Sequence, residues 1–277
     1  MIQNIQKNHS NVKLIFIIPY RNREAHLNVF SKFMPYILED YKKDEVLFFI
    51  CNQQDNRVFN RGAMKNLGFI ISSQIFPERY KEITFVFNDI DTMPSKKNMF
   101  SYETNSNVVK HFYGFKFALG GVFSIQGKDF EKIGGFPNIW GWGYEDNIIK
   151  ERVSKNNMEI NYDNFYPLNH PSIITIHHGY YRKIDQRIIF RKDTLQENSF
   201  YKSIKKIEYS IQPFSLDSSF YYLNFTDWTI PEKDTDIQFK VEKPKPKLEQ
   251  FKFDMNTVIN KQKESRIKRP VRNRRYR

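Results

Sequence analysis

The sequence predicts an α/β protein in which a mostly parallel central sheet is flanked by helices. Three observations carry that prediction. Short continuous apolar runs, rich in β-branched and aromatic residues, recur at residues 12–20 ("VKLIFIIPY"), 45–53 ("EVLFFICNQ") and 83–91 ("ITFVFNDID"). This is the pattern of strands buried on both faces. Helical spacing fills the intervals between the runs, and each run breaks abruptly into polar residues at its end.

Taken in order, the first strand gives way to "RNREAH", and residues 24–40 repeat apolar side chains at helical spacing. The second ends in "NQQDNRVFNR" and is followed by a helix over residues 60–76, with Asn60 available as its N-cap. The third ends in "NDID". Strand, helix, strand, helix, strand implies parallel βαβ units. Ligands of such sheets bind outside the carboxyl ends of the strands, so the three polar clusters are expected to converge on one site. Residues 201–230 ("KKIEYSI", "FYYLNFTDWTI") read as strands that close the domain. Past Pro231, "EKPKPKLEQ" and a basic run have the composition of a linker and tail. The expected organisation is an N-terminal extension over residues 1–11, one domain over 12–231, and a basic, extended or disordered tail over 232–277, without internal repeats.

At 277 residues, 40% hydrophobic and 16% aromatic, the chain can bury a sizeable core. Cys51 has no intrachain partner and sits in an apolar run, so it is expected to be a buried thiol. No signal-peptide core or membrane-length apolar run is present in the sequence, which predicts a soluble, intracellular protein. The net charge of +13 points towards a polyanion, yet residues 261–277 hold nine Lys or Arg and one Glu, a net +8, which leaves +5 for the rest of the chain. The basicity is mainly a tail property.

Asp89 and Asp91 stand two apart where the third strand ends, and paired carboxylates there suit Mn²⁺ or Mg²⁺ carrying a diphosphate. A lone D-x-D is more often a solvated turn. His177 and His178 follow a further β-like run, "SIITI"; on a strand only one of them could reach a metal at Asp91, and a surface or core histidine is the plainer reading. Arg182 and Lys183 are phosphate contacts or surface charge. Arg21, Arg23 and His26 follow Pro19, where guanidinium forks suit phosphate oxygens and surface charge is the alternative. Phe59 and Arg61 open the second helix, where a ring can stack on a base and a cation meet phosphate, although capping and packing explain them almost as well. In "GGFPNIWGWGYEDNII" (134–149), glycines permit close approach of a ligand, indoles stack on sugar rings, and Glu145 and Asp146 open an amphipathic run. A carboxylate is favoured in its charged form at a helix start and, against a sugar hydroxyl, can act as a general base.

Together, "IPYRNREAHL", "FNRGAMKNLGF", "FNDIDTMP", "ALGGVFSIQGKDFEKIGGFPNIWGWGYED" and the later His pair resemble, in order and spacing, the β-1,4-galactosyltransferases of glycosyltransferase family 7, from about Val12 to Ile230. The resemblance implies a GT-A-type nucleotide-sugar-binding fold, a UDP-sugar donor, Mn²⁺, a glycan or glycoconjugate acceptor, and transfer with inversion. It implies that Pro19, Arg21, Arg23, Phe59 and Arg61 contact uridine and diphosphate, with Asp89 near the ribose and Asp91 on the metal. His178, or alternatively His177, joins Asp91 as metal ligand, and Ala118, Gly120 and Gly121 lie by the donor sugar. Trp142 resembles the tryptophan of a loop that closes over donor and acceptor, excluding water. Asp146, beside Glu145, is the expected base, with Trp142, Asp146 and Asn147 facing the acceptor.

The chain departs from the family's usual run W-G-W-G-G-E-D-D-D, because Asn147 and Ile148 replace carboxylates, which leaves the acceptor open. Ala118 or Leu119 stands where the vertebrate galactosyl enzymes carry a bulky aromatic, so UDP-GalNAc, or even UDP-GlcNAc, joins UDP-galactose as an expected donor. The Golgi relatives' anchor and disulfides have no counterpart here, which predicts a cytoplasmic enzyme of microbial or viral origin. The competing expectations are a polyanion- or nucleic-acid-binding protein acting through residues 261–277, a transferase that binds UDP without transferring, and, ranked lowest, a metal-dependent nuclease, which needs no "WGWG" loop.

Overall fold

Apolar side chains on both faces of a strand require cover on both faces, and the computed structural model shows how this chain provides it. It describes residues 1–176, 181–187, 200–214 and 219–243. The strands of the first half are β1 (Leu14–Tyr20), β2 (Val46–Gln53), β3 (Thr84–Asn88), β4 (Thr92–Pro94), β5 (Val108–Gly114) and β6 (Val122–Gln126). Those of the second half are β7 (Glu159–Asn161), β8 (Tyr166–Pro167), β9 (Ile173–Thr175), β10 (Arg182–Asp185), β11 (Lys205–Pro213), β12 (Phe220–Thr229) and β13 (Phe239–Glu242). The helices are α1 (Ile2–Asn8), α2 (Glu24–Ile37), α3 (Arg61–Ile75), α4 (Gly127–Ile133) and α5 (Glu145–Lys155), with a helical turn at Phe200–Ser203.

The main sheet runs β11-β12-β2-β1-β3-β6-β5-β7, with β8 also on β5. Its centre, β12-β2-β1-β3, is parallel and in strict register, Ile17 facing both Phe49 and Phe87. Every residue of β1 and β3 is buried, as continuous apolar runs between two covering layers must be. The other half of the sheet turns antiparallel through β6, which pairs with β3 and β5. The α/β fold expected from the sequence is therefore present, and the closing strands expected over residues 201–230 are β11 and β12, with β12 inserted beside β2.

Helix α3 begins where expected because the side chain of Asn60 accepts from the Ala63 amide at 2.9 Å, satisfying one of the donors that a helix start leaves unpaired. It packs on β1 and β2 through Ala63, Met64, Leu67 and Ile71, within a core that also takes in Phe85, Phe87, Phe123 and Phe136. Cys51 is a free thiol in that core, as its apolar surroundings in the sequence imply. Packing continues beyond residues 12–231 at both ends: Ile5 of α1 is buried in the core, and β13 pairs with β10. Compact contacts reach from Met1 to Pro244, and the expected tail from residue 244 onward lies outside the described residues. Among the described residues no helix is long and apolar enough to cross a membrane.

Candidate active site

The carboxyl ends of β1 and β3 and the segment after β2 open onto one cavity of about 790 Å³, a volume in the range of small-molecule sites. Pro19, Arg21 and Arg23 come from the end of β1, Phe59 and Arg61 from the segment leading into α3, and Asp89 and Asp91 from the end of β3. Ala118, Gly120 and Gly121 line it from the β5–β6 connection, and Trp142, Glu145, Asp146 and Asn147 from the start of α5. The site residues expected from the sequence border this cavity except His26, which is buried in α2, and His177 and His178, which lie outside the described residues. Of the two residues considered before "GGV", Ala118 faces the cavity, whereas Leu119 is fully buried in the core.

At the inner end of the cavity a small set of charges is locked together. The Arg61 guanidinium places Nη2 2.6 Å from Asp146 Oδ2 and 3.6 Å from Asp89 Oδ2, with Nε 3.2 Å from Glu145 Oε1. Lys65, one helical turn further along α3, brings Nζ to 3.2 Å from the other Asp146 oxygen. Only 2% of its side chain is exposed, and its ammonium also lies 4.4 Å from the centre of the Phe136 ring. Burial by itself would push the Asp146 carboxyl up, but Arg61 and Lys65 outweigh it and hold the group below the ordinary carboxylate value. Glu145 shifts the other way: burial, aided by the Asp146 charge and only partly opposed by Arg61, pushes it up. Of the two, Asp146 is the carboxyl whose charged form its neighbours favour, and the charged form is what a general base needs.

Arg23 donates from Nη1 to Asp91 Oδ2 at 3.2 Å, and Thr92 Oγ1 donates to Asp91 Oδ1 at 3.1 Å. The amide of Ile176, the residue before the two histidines, donates to the Asp91 carbonyl at 2.8 Å, and β4 pairs with β9. Among the described residues no three His, Cys, Asp or Glu side chains gather as a metal group. Arg21 turns its guanidinium to the carbonyls of Arg57 and Asp55 at 2.5 Å each, and so fixes the segment after β2 while bordering the cavity.

The two tryptophans of "WGWG" do different work. Trp140 is buried, stacked on Trp228 at 6.0 Å between ring centres, and donates to the Glu232 carbonyl at 2.8 Å. Trp142 is 41% exposed at the cavity with the Arg182 guanidinium 4.2 Å over its ring. Its amide donates to the Lys183 carbonyl at 2.7 Å, while the Gly141 amide donates to the Phe59 carbonyl at 3.0 Å. Gly141 has φ +89°, and a Cβ there would lie 2.4 Å from the Lys183 carbonyl oxygen, so only glycine lets the segment thread this gap. Arg182 thus acts on the indole rather than standing as plain surface charge. Ile148, where the resembling run has a carboxylate, is fully buried against Ile139 and Tyr144.

Sequence reading missed Lys65, whose signal was its spacing of four from Arg61, the distance that puts two side chains on one helix face. It also missed Tyr144, Phe115 and Phe117, which border the cavity. No local pattern marks a loop aromatic as facing a site rather than a core.

Comparison with known proteins gives two adjoining family matches. Residues 4–103 match the N-terminal region of glycosyl transferase group 7, and residues 102–179 match the N-terminal domain of galactosyltransferase. The chain is 33% identical over 161 residues to human beta-1,4-galactosyltransferase 1 and 34% identical to the mouse protein; each match covers 55% of this chain and 39% of the relative. It is 30% identical over 166 residues to beta-1,4-galactosyltransferase 4 of Cricetulus griseus. The matched region thus spans about two fifths of the length of the first two relatives. In three dimensions the chain is similar to the catalytic domain of Drosophila beta1,4galactosyltransferase 7 in complex with xylobiose, with a TM-score of 0.61 and 20% identity over 78% of this chain and 94% of that one. A mutant of the same fly enzyme, in complex with manganese, UDP-Gal and xylobiose, gives the same TM-score at 19% identity. These likenesses show the fold to be of the GT-A type expected.

Proposed function

The chain belongs to glycosyltransferase family 7, and from that premise we propose that it is an inverting, metal-dependent hexosyltransferase. It moves a hexose from a UDP-sugar to a hydroxyl of a glycan or glycoconjugate acceptor. The observation that carries this reading is the Asp146 carboxylate, half-buried in the cavity and held between Arg61 and Lys65. Each of its oxygens accepts from one cation and keeps a lone pair for an acceptor hydroxyl.

In this reading the acceptor oxygen attacks the anomeric carbon while its proton passes to Asp146. The bond to the diphosphate breaks on the opposite face and UDP leaves with the electron pair, so the configuration inverts without a covalent enzyme intermediate. Arg21, Arg23 and Arg61 surround the diphosphate, Pro19 and Phe59 the uridine, and Asp89 the ribose side of the donor. Ala118, Gly120 and Gly121 border the hexose, and the small Ala118 side chain leaves room for an N-acetyl group at C2, which favours UDP-GalNAc beside UDP-galactose, with UDP-GlcNAc less favoured. Trp142 and Asn147 join Asp146 on the acceptor, and Glu145 braces Arg61.

The residues present fit a divalent ion. Asp91 offers a hard carboxylate at the cavity wall, already balanced by the Arg23 cation, and the chain reaches it again at Ile176, next in sequence to His177 and His178. Such an ion takes one or two protein carboxylates and completes its shell with phosphate oxygens and water. Asp91 and His178, or His177, would hold it. When bound, Mn²⁺ supplies charge neutralisation at the leaving diphosphate.

Calorimetric titration of UDP, UDP-galactose, UDP-GalNAc and UDP-GlcNAc with and without Mn²⁺ tests the reading. Mn²⁺-dependent UDP binding with a preference for one sugar is expected, and Asp91→Ala should lose the Mn²⁺ dependence. Asp146→Ala should bind the donor and fail to transfer. No UDP binding in any condition, or full turnover by either variant, overturns the assignment. A second reading rests on the nine basic residues of positions 261–277, which suit a polyanion. It predicts steeply salt-dependent binding that disappears when the tail is removed.

A further inference from the structure

One buried ionisable side chain takes no part in the chemistry described so far. His111 lies on β5 with 1% of its surface exposed. Burial pushes its ring down, and the carbonyls of Gly120 and Tyr113, helped by the Asp146 charge and opposed by that of Lys150, do not restore it. At ordinary pH the ring is therefore neutral and carries a single N–H. Its Nε2 lies 3.0 Å from the Tyr113 carbonyl oxygen and 3.1 Å from that of Gly120. A carbonyl oxygen only accepts, so the proton sits on Nε2 and is shared between the two. Nδ1 is buried with no hydrogen-bond partner among the described residues, and the ring packs at 4.9 Å from Phe165 and 5.8 Å from Tyr162, centre to centre.

Two carbonyls from opposite ends of the β5–β6 connection thus meet on one donor. The pairing of β5 with β6 skips a residue between His111 and Tyr113, a bulge of the kind that re-aims a side chain. Gly114 has φ +136°, and a Cβ there would lie 2.9 Å from the Gly120 carbonyl oxygen and 3.3 Å from His111 Nε2, so the two ends approach to a distance that only glycine permits. The closed connection is set against the start of α5. The Leu119 amide donates to the Asp146 carbonyl at 2.8 Å, and Gly120 faces the Asp146 carboxylate so closely that a Cβ would stand 2.6 Å from Oδ2. The residue whose carbonyl His111 holds is therefore the one that walls the carboxylate.

We propose that His111 is a positioning residue for the transfer: its single N–H draws the two ends of the β5–β6 connection together and so seats Gly120 against the Asp146 carboxylate. The inference rests on the transferase reading of the same site. The nucleotide side of the cavity has its own supports, since Pro19, Arg21 and Arg23 come from the end of β1 and Phe59 from the segment before α3. Loss of the N–H opens the neck of the connection and shifts Gly120 while UDP still binds. A misplacement of about 1 Å at the reacting group costs on the order of a hundredfold in rate.

The test uses the full chain with Mn²⁺ and the donor chosen by calorimetry, at a temperature below every melt. His111→Leu removes the donor at nearly the same volume, and His111→Gln keeps an N–H close to the place of Nε2. The expected result for His111→Leu is a kcat lower by about ten- to a hundredfold with UDP affinity retained, and for His111→Gln the recovery of most of that loss. Unreduced kcat in His111→Leu, an equal loss in both variants, or a fall in UDP affinity that matches the fall in kcat overturns the proposal and leaves the transferase reading standing. The unchanged chain supplies a check that needs no turnover: the ring ¹⁵N shifts of His111 at neutral pH should show a neutral imidazole with its proton on Nε2. A charged ring, or a proton on Nδ1, overturns the proposal even where His111→Leu does not fold. Failure of the unchanged chain to bind any of the four nucleotides is instead the failure of the transferase reading, and this proposal falls with it.

Discussion

Replacing Gly120 by alanine should damage the chemistry far more than the fold. The new methyl carbon would lie 2.6 Å from Asp146 Oδ2, 3.1 Å from its Cγ and 3.5 Å from its Cβ. Gly120 is not among the glycines with positive φ, so alanine meets a contact there and no forbidden backbone. To restore ordinary contact, the carboxylate must move by roughly 0.5–1 Å, and an overpacked site of this kind costs about 1–3 kcal/mol. Asp146 has little freedom to move. Arg61 holds one oxygen at 2.6 Å, Lys65 the other at 3.2 Å, and the Leu119 amide holds its carbonyl at 2.8 Å. The displacement is therefore taken up at the oxygen that, in the proposed reading, receives the acceptor's proton, where an error of about 1 Å costs on the order of a hundredfold in rate. The assay is UDP release in the presence of acceptor, run beside a thermal melt. Gly121→Ala is the control: at φ +71°, with a Cβ 2.5 Å from the Tyr113 carbonyl oxygen, its penalty falls on backbone and lowers the melting temperature. A Gly120→Ala protein with unreduced kcat and an unchanged melt would refute the placement of Asp146 as base.

Three further outcomes are expected. Lys65→Met removes one of the two cations that hold Asp146 below the ordinary carboxylate value. A base works only when deprotonated, so a depressed carboxyl keeps the enzyme active into acid. Losing Lys65 should move the acid limb of the kcat/KM profile upward by roughly one pH unit, the worth of a charge-assisted hydrogen bond; an unmoved limb refutes the coupling. By the same sign, stability contributed by the ionised Asp146 is present above the unfolded value of about 4 and is lost as pH falls through the folded one. Asn60→Ala removes the cap that starts α3 and should lower stability by about 1–2 kcal/mol, a drop of roughly 2–8 °C in the melt. Because burial pushes the Cys51 thiol up and leaves it no exposure, a disulfide reagent should label it only after unfolding; rapid labelling of the native protein would contradict the core placement.

The parallel core was legible because continuous apolar runs leave a strand no choice but burial on both faces, and β1, β2 and β3 lie over the runs expected. Convergence of "RNREAH", "NQQDNRVFNR" and "NDID" on one cavity followed from the same fact, since parallel strands share a carboxyl edge. By contrast, residue type and local periodicity in "WGWG" do not tell the indole that packs on Trp228 from the one that meets Arg182; only the family resemblance singled out Trp142. Side-chain type is equal there, and only the neighbouring elements differ.

What the sequence determined by itself is therefore the sheet, the edge on which the site lies and the family, because these depend on local periodicity and on motifs a few residues long. Tertiary structure alone decided how the charges are distributed. Lys65 and Arg61 reach Asp146 across more than eighty positions of sequence, and together they outweigh the burial that pushes its carboxyl up. A carboxylate's ionisation is set by the charges and solvent within a few ångströms of it, and that neighbourhood exists only after the chain has folded.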